Sequence, residues 1–232
     1  MKRLTFVDIE TMKGERPEIA LAPFLKGLRG NPKSDPVTQD FQVRAKREKI
    51  LNDKVLLTPV ASRILCIGVR EIVEPGIGDY VNGVKVEDNW HFIYDPDEKK
   101  MIQKFIMLTN PATKYVTFNG RTFDFPFLMF RAAVMKENLS LPIYPYNGRD
   151  NHIDIFIHLN NISNLSMLDN SLSMIGMAKW REYLALAPKT QDPTKLEELV
   201  ITGQLDKVEE YVKGDVDELV NMFNIFSGNF EL

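Results

Sequence analysis

Cysteine is almost missing from this chain of 232 residues, in which Cys66 stands alone. No internal disulfide can form and no cysteine-based zinc site can be assembled, which points to a reducing compartment. Long hydrophobic runs are missing too. No stretch approaches the ~18 apolar residues of a membrane span. The segment Leu4 to Val7, between Arg3 and Asp8, is too short for the apolar core of a signal peptide. The expectation is a cytoplasmic or nucleoid-associated protein. A surplus of positive charge is also lacking, since 29 basic residues face 32 acidic ones. That balance argues against a protein held to nucleic acid by a broad basic surface. It does not exclude an enzyme that neutralises phosphates locally with metal ions.

What is present is ordinary globular material: 44% apolar residues, with 14 Phe and 10 Met to fill an interior. Strand patterns occur at Leu4 to Glu10, Arg63 to Ile72, Trp90 to Tyr94 and Lys114 to Phe118. Ile153 to Leu159 reads as a fifth strand or a short helix. Helical spacing is found at Asp97 to Leu108, Asp124 to Glu137, Leu168 to Ile175, Lys195 to Leu199 and Leu205 to Phe226. Glu74 to Gly83 is turn-rich. Strands alternating with helices predict a mixed α/β sheet protein. Met12 to Ser62 departs from this pattern: five prolines punctuate it, and its clearest helical stretch is Lys46-Arg47-Glu48-Lys49.

Four acids stand out. Asp8 and Glu10 lie two apart on a strand, so they share a face with Leu4 and Phe6. That face turns from apolar to doubly acidic at the strand's carboxyl end, where α/β sheets commonly place their sites. Alone, an Asp-x-Glu pair is also what a solvated strand end looks like. Asp124 opens a helix two residues before Pro126, and a helix N-cap would be reason enough for an aspartate there. Its place after the Asn119–Phe123 turn also sets it near the working edge of the sheet. On the last helix the apolar stripe is Leu205, Val208, Val212, Leu219, Met222, Phe223 and Phe226. Tyr211 and Asp215 are four apart, and Asp215 occupies a core-facing slot. A buried, unpaired carboxylate costs several kcal/mol, so Asp215 calls for a cation or a strong donor. Gly214 costs about 1 kcal/mol relative to alanine in a helix, which predicts close packing there. Glu209, Glu210, Asp217 and Glu218 fall mostly off the stripe and read as solvated surface.

These pieces, in this order, resemble the DEDDy exonucleases, especially the predicted 3′-5′ exonucleases related to the proofreading domain of family B DNA polymerases. Phe6-Val7-Asp8-Ile9-Glu10-Thr11 resembles the first motif of that family. Phe118-Asn119-Gly120-Arg121-Thr122-Phe123-Asp124-Phe125-Pro126-Phe127-Leu128 resembles the second, and Tyr211-Val212-Lys213-Gly214-Asp215 the third. Asn151-His152-Ile153-Asp154-Ile155 and Ser171-Leu172-Ser173-Met174-Ile175-Gly176 match two secondary stretches. The resemblance implies an RNase H-like fold, a five-stranded mixed sheet with one antiparallel strand, flanked by helices. It implies two divalent cations, Mg²⁺ or Mn²⁺, about 3.5–4 Å apart. Asp8 would bridge them, Glu10 and Asp215 would complete the first site, and Asp124 would hold the second. Tyr211 would orient the attacking water, and Thr11, Met12, Asn119 and Phe123 would line the pocket for the terminal nucleotide. His152 and His158 are read as structural.

The implied activity is 3′-5′ hydrolysis of single-stranded DNA, with replication or repair proteins as possible partners. An exoribonuclease of RNase D type, a catalytically silent binding module and an RNase H-like endonuclease are the competing readings. A chain of this length leaves no room for a polymerase, so a free-standing single exonuclease domain is expected, with an insertion at about 12–62. That insertion carries Lys26, Arg29, Lys33, Arg44, Lys46, Arg47 and Lys49, a local basic excess that could contact phosphates or be plain solvated surface.

Overall fold

The alternating opening segment builds strand β1 (Lys2–Lys13), which runs three residues past its predicted end. A computed structural model describes residues 2–51, 55–74, 87–109, 114–139, 141, 151–163, 176–186 and 192–229. Four further strands, β2 (Ser62–Glu74), β3 (Glu87–Ile93), β4 (Lys114–Thr117) and β5 (His152–Asp154), complete a five-stranded sheet in the order β3-β2-β1-β4-β5. Strands β1, β4 and β5 are parallel, whereas β2 and β3 pair antiparallel. The sheet is mixed, as expected.

Between β1 and β2 lie α1 (Pro17–Ala20), α2 (Ala22–Leu25) and α3 (Pro36–Lys49). Helix α4 (Glu98–Thr109) joins β3 to β4, and α5 (Asp124–Val134) follows β4. After β5 come α6 (Ile155–Ser163), α7 (Met177–Tyr183), α8 (Leu196–Ile201) and α9 (Leu205–Phe226). The segment read as strand or short helix is both: β5 ends at Asp154 and α6 begins on the next residue. The expected helix at 168–175 and the turn-rich residues 75–83 lie outside the described residues. No described helix is long and apolar enough to cross a membrane.

Contacts group the chain into two compact units, residues 1–10 with 66–232, and residues 11–65. The smaller unit has a core of its own, in which Leu21, Leu25, Val55 and Ala61 are buried and Ile50, Leu51 and Leu56 pack against them. In the larger unit, alternation along the strands sends side chains to two covered faces. Leu4, Phe6, Val116 and Ile153 join α9 residues Val216, Leu219, Met222 and Phe223 in one apolar cluster, with Phe6 edge-on to Phe223 at 5.5 Å. On the other face Tyr115 meets Phe125 of α5 edge-on at 5.2 Å. Helix α5 is in turn tied to α4 by the two-pronged Arg131–Glu98 pair at 2.9 and 2.6 Å.

Helix α9 is held more tightly than its apolar stripe alone would require. Its acids read as solvated surface are mostly engaged, which corrects that expectation. Glu209 accepts the Trp90 indole N–H at 2.9 Å, and Asp217 pairs with Arg70 of β2. Glu218 is buried and takes both prongs of Arg181 from α7; of the four, Glu210 alone is exposed. One residue apart, Asp217 and Glu218 point about 100° from each other and brace the helix on two sides. The expectation for Gly214 also fails, because a Cβ there would meet nothing within 4 Å. The close approach lies instead on the sheet. A Cβ on Gly68 of β2 would sit 2.5 Å from a Val212 methyl and 3.0 Å from one of Val216.

Two substitutions test this assignment. Gly68→Ala should destabilise the protein by about 1–3 kcal/mol, since α9 must lift off β2 to admit one methyl group. Gly214→Ala, on an exposed helical position, should stabilise it by about 0.5–1 kcal/mol. Denaturant unfolding of both variants checks the opposite signs; a Gly68→Ala protein as stable as the parent would contradict the packing described.

Candidate active site

Strand β1 and helix α9 meet along an apolar seam that ends in acid. Phe223 lies on Phe6, and Asp215 comes eight residues, roughly 12 Å, earlier on α9. Asp8 and Glu10 come two and four residues later on β1, roughly 7–13 Å along the strand. The two elements therefore run in opposite directions, and their acids converge just past the apolar layer. One oxygen from each of Asp8, Glu10 and Asp215 lies within 4.8 Å of the others. Asp8 and Glu10 are half-buried and Asp215 is buried. In register, Phe6 pairs with Val116 and β4 ends one residue later, so both β1 acids project beyond the end of their neighbour. Among the described residues this is the group of potential ligands that converges so closely. Three hard oxygen donors suit Mg²⁺, Mn²⁺ or Ca²⁺ and would suit a soft metal poorly. The donor set thus fits the divalent cations implied by the sequence.

Tyr211 lies one turn before Asp215 on α9 and is buried. Its phenol is held well above its ordinary range, first by burial, then by the charges of Glu10, Asp215 and Asp8, and by its hydrogen bond to Asp215. It therefore stays protonated and donates. Cys66 on β2 is a neighbour that the sequence did not flag. It is fully buried, and its thiol is pushed up first by burial and then by Glu10 and Asp8. Only an apolar run surrounds it in sequence, so no local signal marks its place near the acids.

Asp124 is placed differently. It is the first residue of α5, with Phe123 at the N-cap, so it is not the cap. Its Oδ1 instead accepts the backbone N–H of Ile9 at 3.1 Å, from the residue between Asp8 and Glu10. Burial drives its carboxyl up to about 7; the Ile9 N–H lowers it and the nearby Asp154 raises it. The structure thus brings three of the four predicted acids together and docks the fourth on the backbone of the same strand.

The turn before Asp124 rests on Asp154, a residue quoted in the sequence but given no role. Buried at the end of β5, it accepts N–H groups from Asn119 at 2.8 Å and Arg121 at 3.0 Å. Asn119 adopts a left-handed conformation, φ 66°, and its side-chain oxygen accepts the Thr122 hydroxyl. Gly120 leaves no room for a Cβ against Thr117, whose hydroxyl sits 2.7 Å from His152 Nε2. His152 is buried and stacks on Phe125 at 4.4 Å, a structural place. His158 is partly buried, and burial lowers its basicity. Phe123 is half-buried against Phe127. Thr11 and Met12 belong to the smaller unit, where the Thr11 hydroxyl donates to Leu56 O at 2.9 Å.

The position of Asp124 has a pH signature. A carboxyl at 3.8 when unfolded and about 7 when folded holds more protons in the native state between those values. Its contribution to stability is complete below pH 3.8 and is lost as pH rises toward 7. Asp124→Asn keeps an acceptor for Ile9 and carries no charge. In EDTA the variant should match the parent near pH 4 and be the more stable at pH 8, as measured by unfolding midpoints across that range. Parallel pH profiles for the two proteins would refute the shift.

Comparisons with known proteins bear on the family and the fold. The catalytic subunit of DNA polymerase epsilon from Emericella nidulans (strain FGSC A4) is 26% identical over an alignment 180 residues long, which covers 69% of this chain and 8% of that protein. Its counterpart from Aspergillus fumigatus (strain Af293) gives the same values. The chain spans less than a tenth of these curated relatives. The family B DNA polymerase of the hyperthermophilic archaeon Pyrobaculum calidifontis has a similar structure, with a TM-score of 0.55 at 13% identity. That match covers 97% of this chain and 24% of the polymerase, and it shows the fold, a five-stranded mixed sheet of RNase H-like type. A family model described as a predicted 3′-5′ exonuclease related to the exonuclease domain of PolB matches residues 87–228, a stretch holding Asp124, Tyr211 and Asp215. By that match the chain belongs to the family of predicted 3′-5′ exonucleases related to the PolB exonuclease domain.

Proposed function

We propose that this chain is a 3′-5′ exonuclease of DEDDy type that hydrolyses single-stranded DNA with two divalent cations, Mg²⁺ or Mn²⁺. The observation that carries the reading is the convergence of Asp8, Glu10 and Asp215 within 4.8 Å, with Tyr211 hydrogen-bonded to Asp215. DNA is favoured over RNA because the relatives are DNA polymerases. Residues from about 12 to 62 are then an insertion in one exonuclease domain.

Asp8, Glu10 and Asp215 would hold the cations, with Asp124 completing the set. Bound there, the cations supply positive charge for the phosphate and acidify a water at neutral pH. Tyr211 is a poor base, because a phenol stays protonated at neutral pH, so its part is to orient the attacking water. The turn pinned by Asp154 sets Asn119 and Phe123, which would receive the terminal nucleotide.

Purified protein should shorten single-stranded DNA from its 3′ end with Mg²⁺ or Mn²⁺ and stop when EDTA is added. Trimming from the 5′ end, or trimming that survives chelation, would sink the assignment. Asp8→Ala should abolish activity in a folded protein.

The roles of Tyr211 and Asp215 separate by substitution. Tyr211→Phe removes one hydroxyl and keeps the ring, so kcat should fall by about ten- to a thousandfold while stability changes little. Asp215→Asn removes a ligand charge, so its loss should be larger, and weaker Mn²⁺ binding should show as a raised half-saturating concentration. Full activity in Tyr211→Phe would reduce the tyrosine to a packing residue.

A further inference from the structure

Helix α3 is anomalous for its length: none of its 14 residues is buried. It begins cleanly, with Asp35 accepting N–H groups from Val37 and Thr38 at 3.0 Å and Pro36 at the first position. One face is covered by the preceding loop. Gln39 donates to Ser34 O at 2.6 Å, Gln42 accepts from Asn31 N–H at 2.6 Å, and Lys46 reaches Arg29 O at 2.8 Å. The opposite face carries Val37, Phe41, Arg44 and Glu48 at three- and four-residue spacing, and Arg44 pairs there with Asp40 at 2.8 Å, an exposed pair that contributes little. Val37 is 80% exposed and Phe41 71%.

Charge is distributed unevenly as well. Residues 11–65 hold 11 basic and 6 acidic residues, whereas the rest of the chain holds 18 and 26. Stabilisation of a helix C-terminus explains Lys46, Arg47 and Lys49 in the last turn. It does not explain an exposed Phe and Val one and two turns before Arg44. An unburied aromatic beside cations, on the basic part of an acidic protein, needs an occupant that offers both anions and apolar faces. Single-stranded nucleic acid offers both, whereas a duplex buries its base faces.

We propose that the Val37–Phe41–Arg44 face of α3 is a strand-holding surface, built from none of the residues of the acidic cluster, on which a base stacks on Phe41 while phosphates pair with Arg47 and Lys49 and take Arg44 over from Asp40. The choice of a nucleic-acid strand rests on the nuclease reading above. The surface would bind without divalent metal and without regard to sequence, since every base presents a stacking face.

The test is fluorescence anisotropy of a labelled oligothymidylate with the full chain in EDTA, over a range of salt. Phe41→Ala should weaken binding about tenfold or more without changing the salt slope, and Phe41→Trp should restore it. The triple variant Arg44→Gln, Arg47→Gln, Lys49→Gln should lower the slope of log affinity against log salt by about 2, at ~0.7 per cation on a single strand. A control triple on α4, Lys99→Gln, Lys100→Gln, Lys104→Gln, carries the same change of net charge and should leave both quantities nearly unchanged. No variant changes a buried residue, and unfolding midpoints confirm that each is folded. Hydrolysis of the nitrophenyl ester of thymidine 5′-phosphate with Mn²⁺ should be equal in all of them. Equal strand affinity in parent, Phe41→Ala and the α3 triple overturns the surface, as does a loss shared equally by the two triples. A parent protein inert on the ester, with these binding losses intact, counts against the hydrolase reading alone.

Discussion

Carboxylates brought within a few ångströms of one another repel, and a fold that gathers three of them needs other contacts to hold their supports in place. Asp8, Glu10 and Asp215 meet in this way, and the load falls on α9, because a helix can retreat more easily than the central strand of a sheet. The contacts along α9 answer that demand. Gly68 lets Val212 and Val216 press onto β2, and the Arg70, Trp90 and Arg181 contacts fix the helix from β2, β3 and α7. All three polar contacts use acids of α9 itself. Part of its negative charge, on Glu209, Asp217 and Glu218, is thus engaged by neighbours, and Asp215 is left on the side that meets β1.

The parts of this arrangement that were legible in sequence depend on short periods. A two-residue repeat placed Asp8 and Glu10 on the face of Leu4 and Phe6, and a three- and four-residue repeat placed Asp215 on the face of Val208 and Leu219. Both hold, because burial on one face is what such repeats encode. The order of strands and helices was readable for the same reason. Strand β5 was ambiguous because it is three residues long and runs straight into α6, too short for either period to show.

What the sequence did not reveal depended on partners distant in sequence. Asp124 has every local mark of an N-cap, and its actual partner, Ile9, is 115 residues away. Glu218 looks like a surface acid until Arg181 is set beside it, and Asp154 looks like part of a strand until its carboxylate is seen holding a turn more than thirty residues earlier. Gly214 was misjudged by the reverse error: a glycine was taken to signal crowding, and the crowding was at Gly68. Helix α3 is a different case, since Asp35-Pro36 is a legible start signal, but without a buried face the rest of the helix lacks the periodic stripe that would extend it.

The fourth acid then takes on a distinct character. Asp124 and the other three serve one strand, yet Asp124 reaches it through the backbone of Ile9 while they line its side-chain face. Burial keeps a proton on Asp124 up to about neutral pH, so below that pH it adds little negative charge to a place already crowded with carboxylates. Its hydrogen bond holds β1 straight between Asp8 and Glu10, a structural service that needs only an acceptor oxygen. Tyr211 does the complementary work from α9, meeting the Asp215 carboxylate with a proton that burial and nearby negative charge keep in place. The fold therefore answers the crowding with protons on the groups at its edges, one on β1's backbone partner and one on α9.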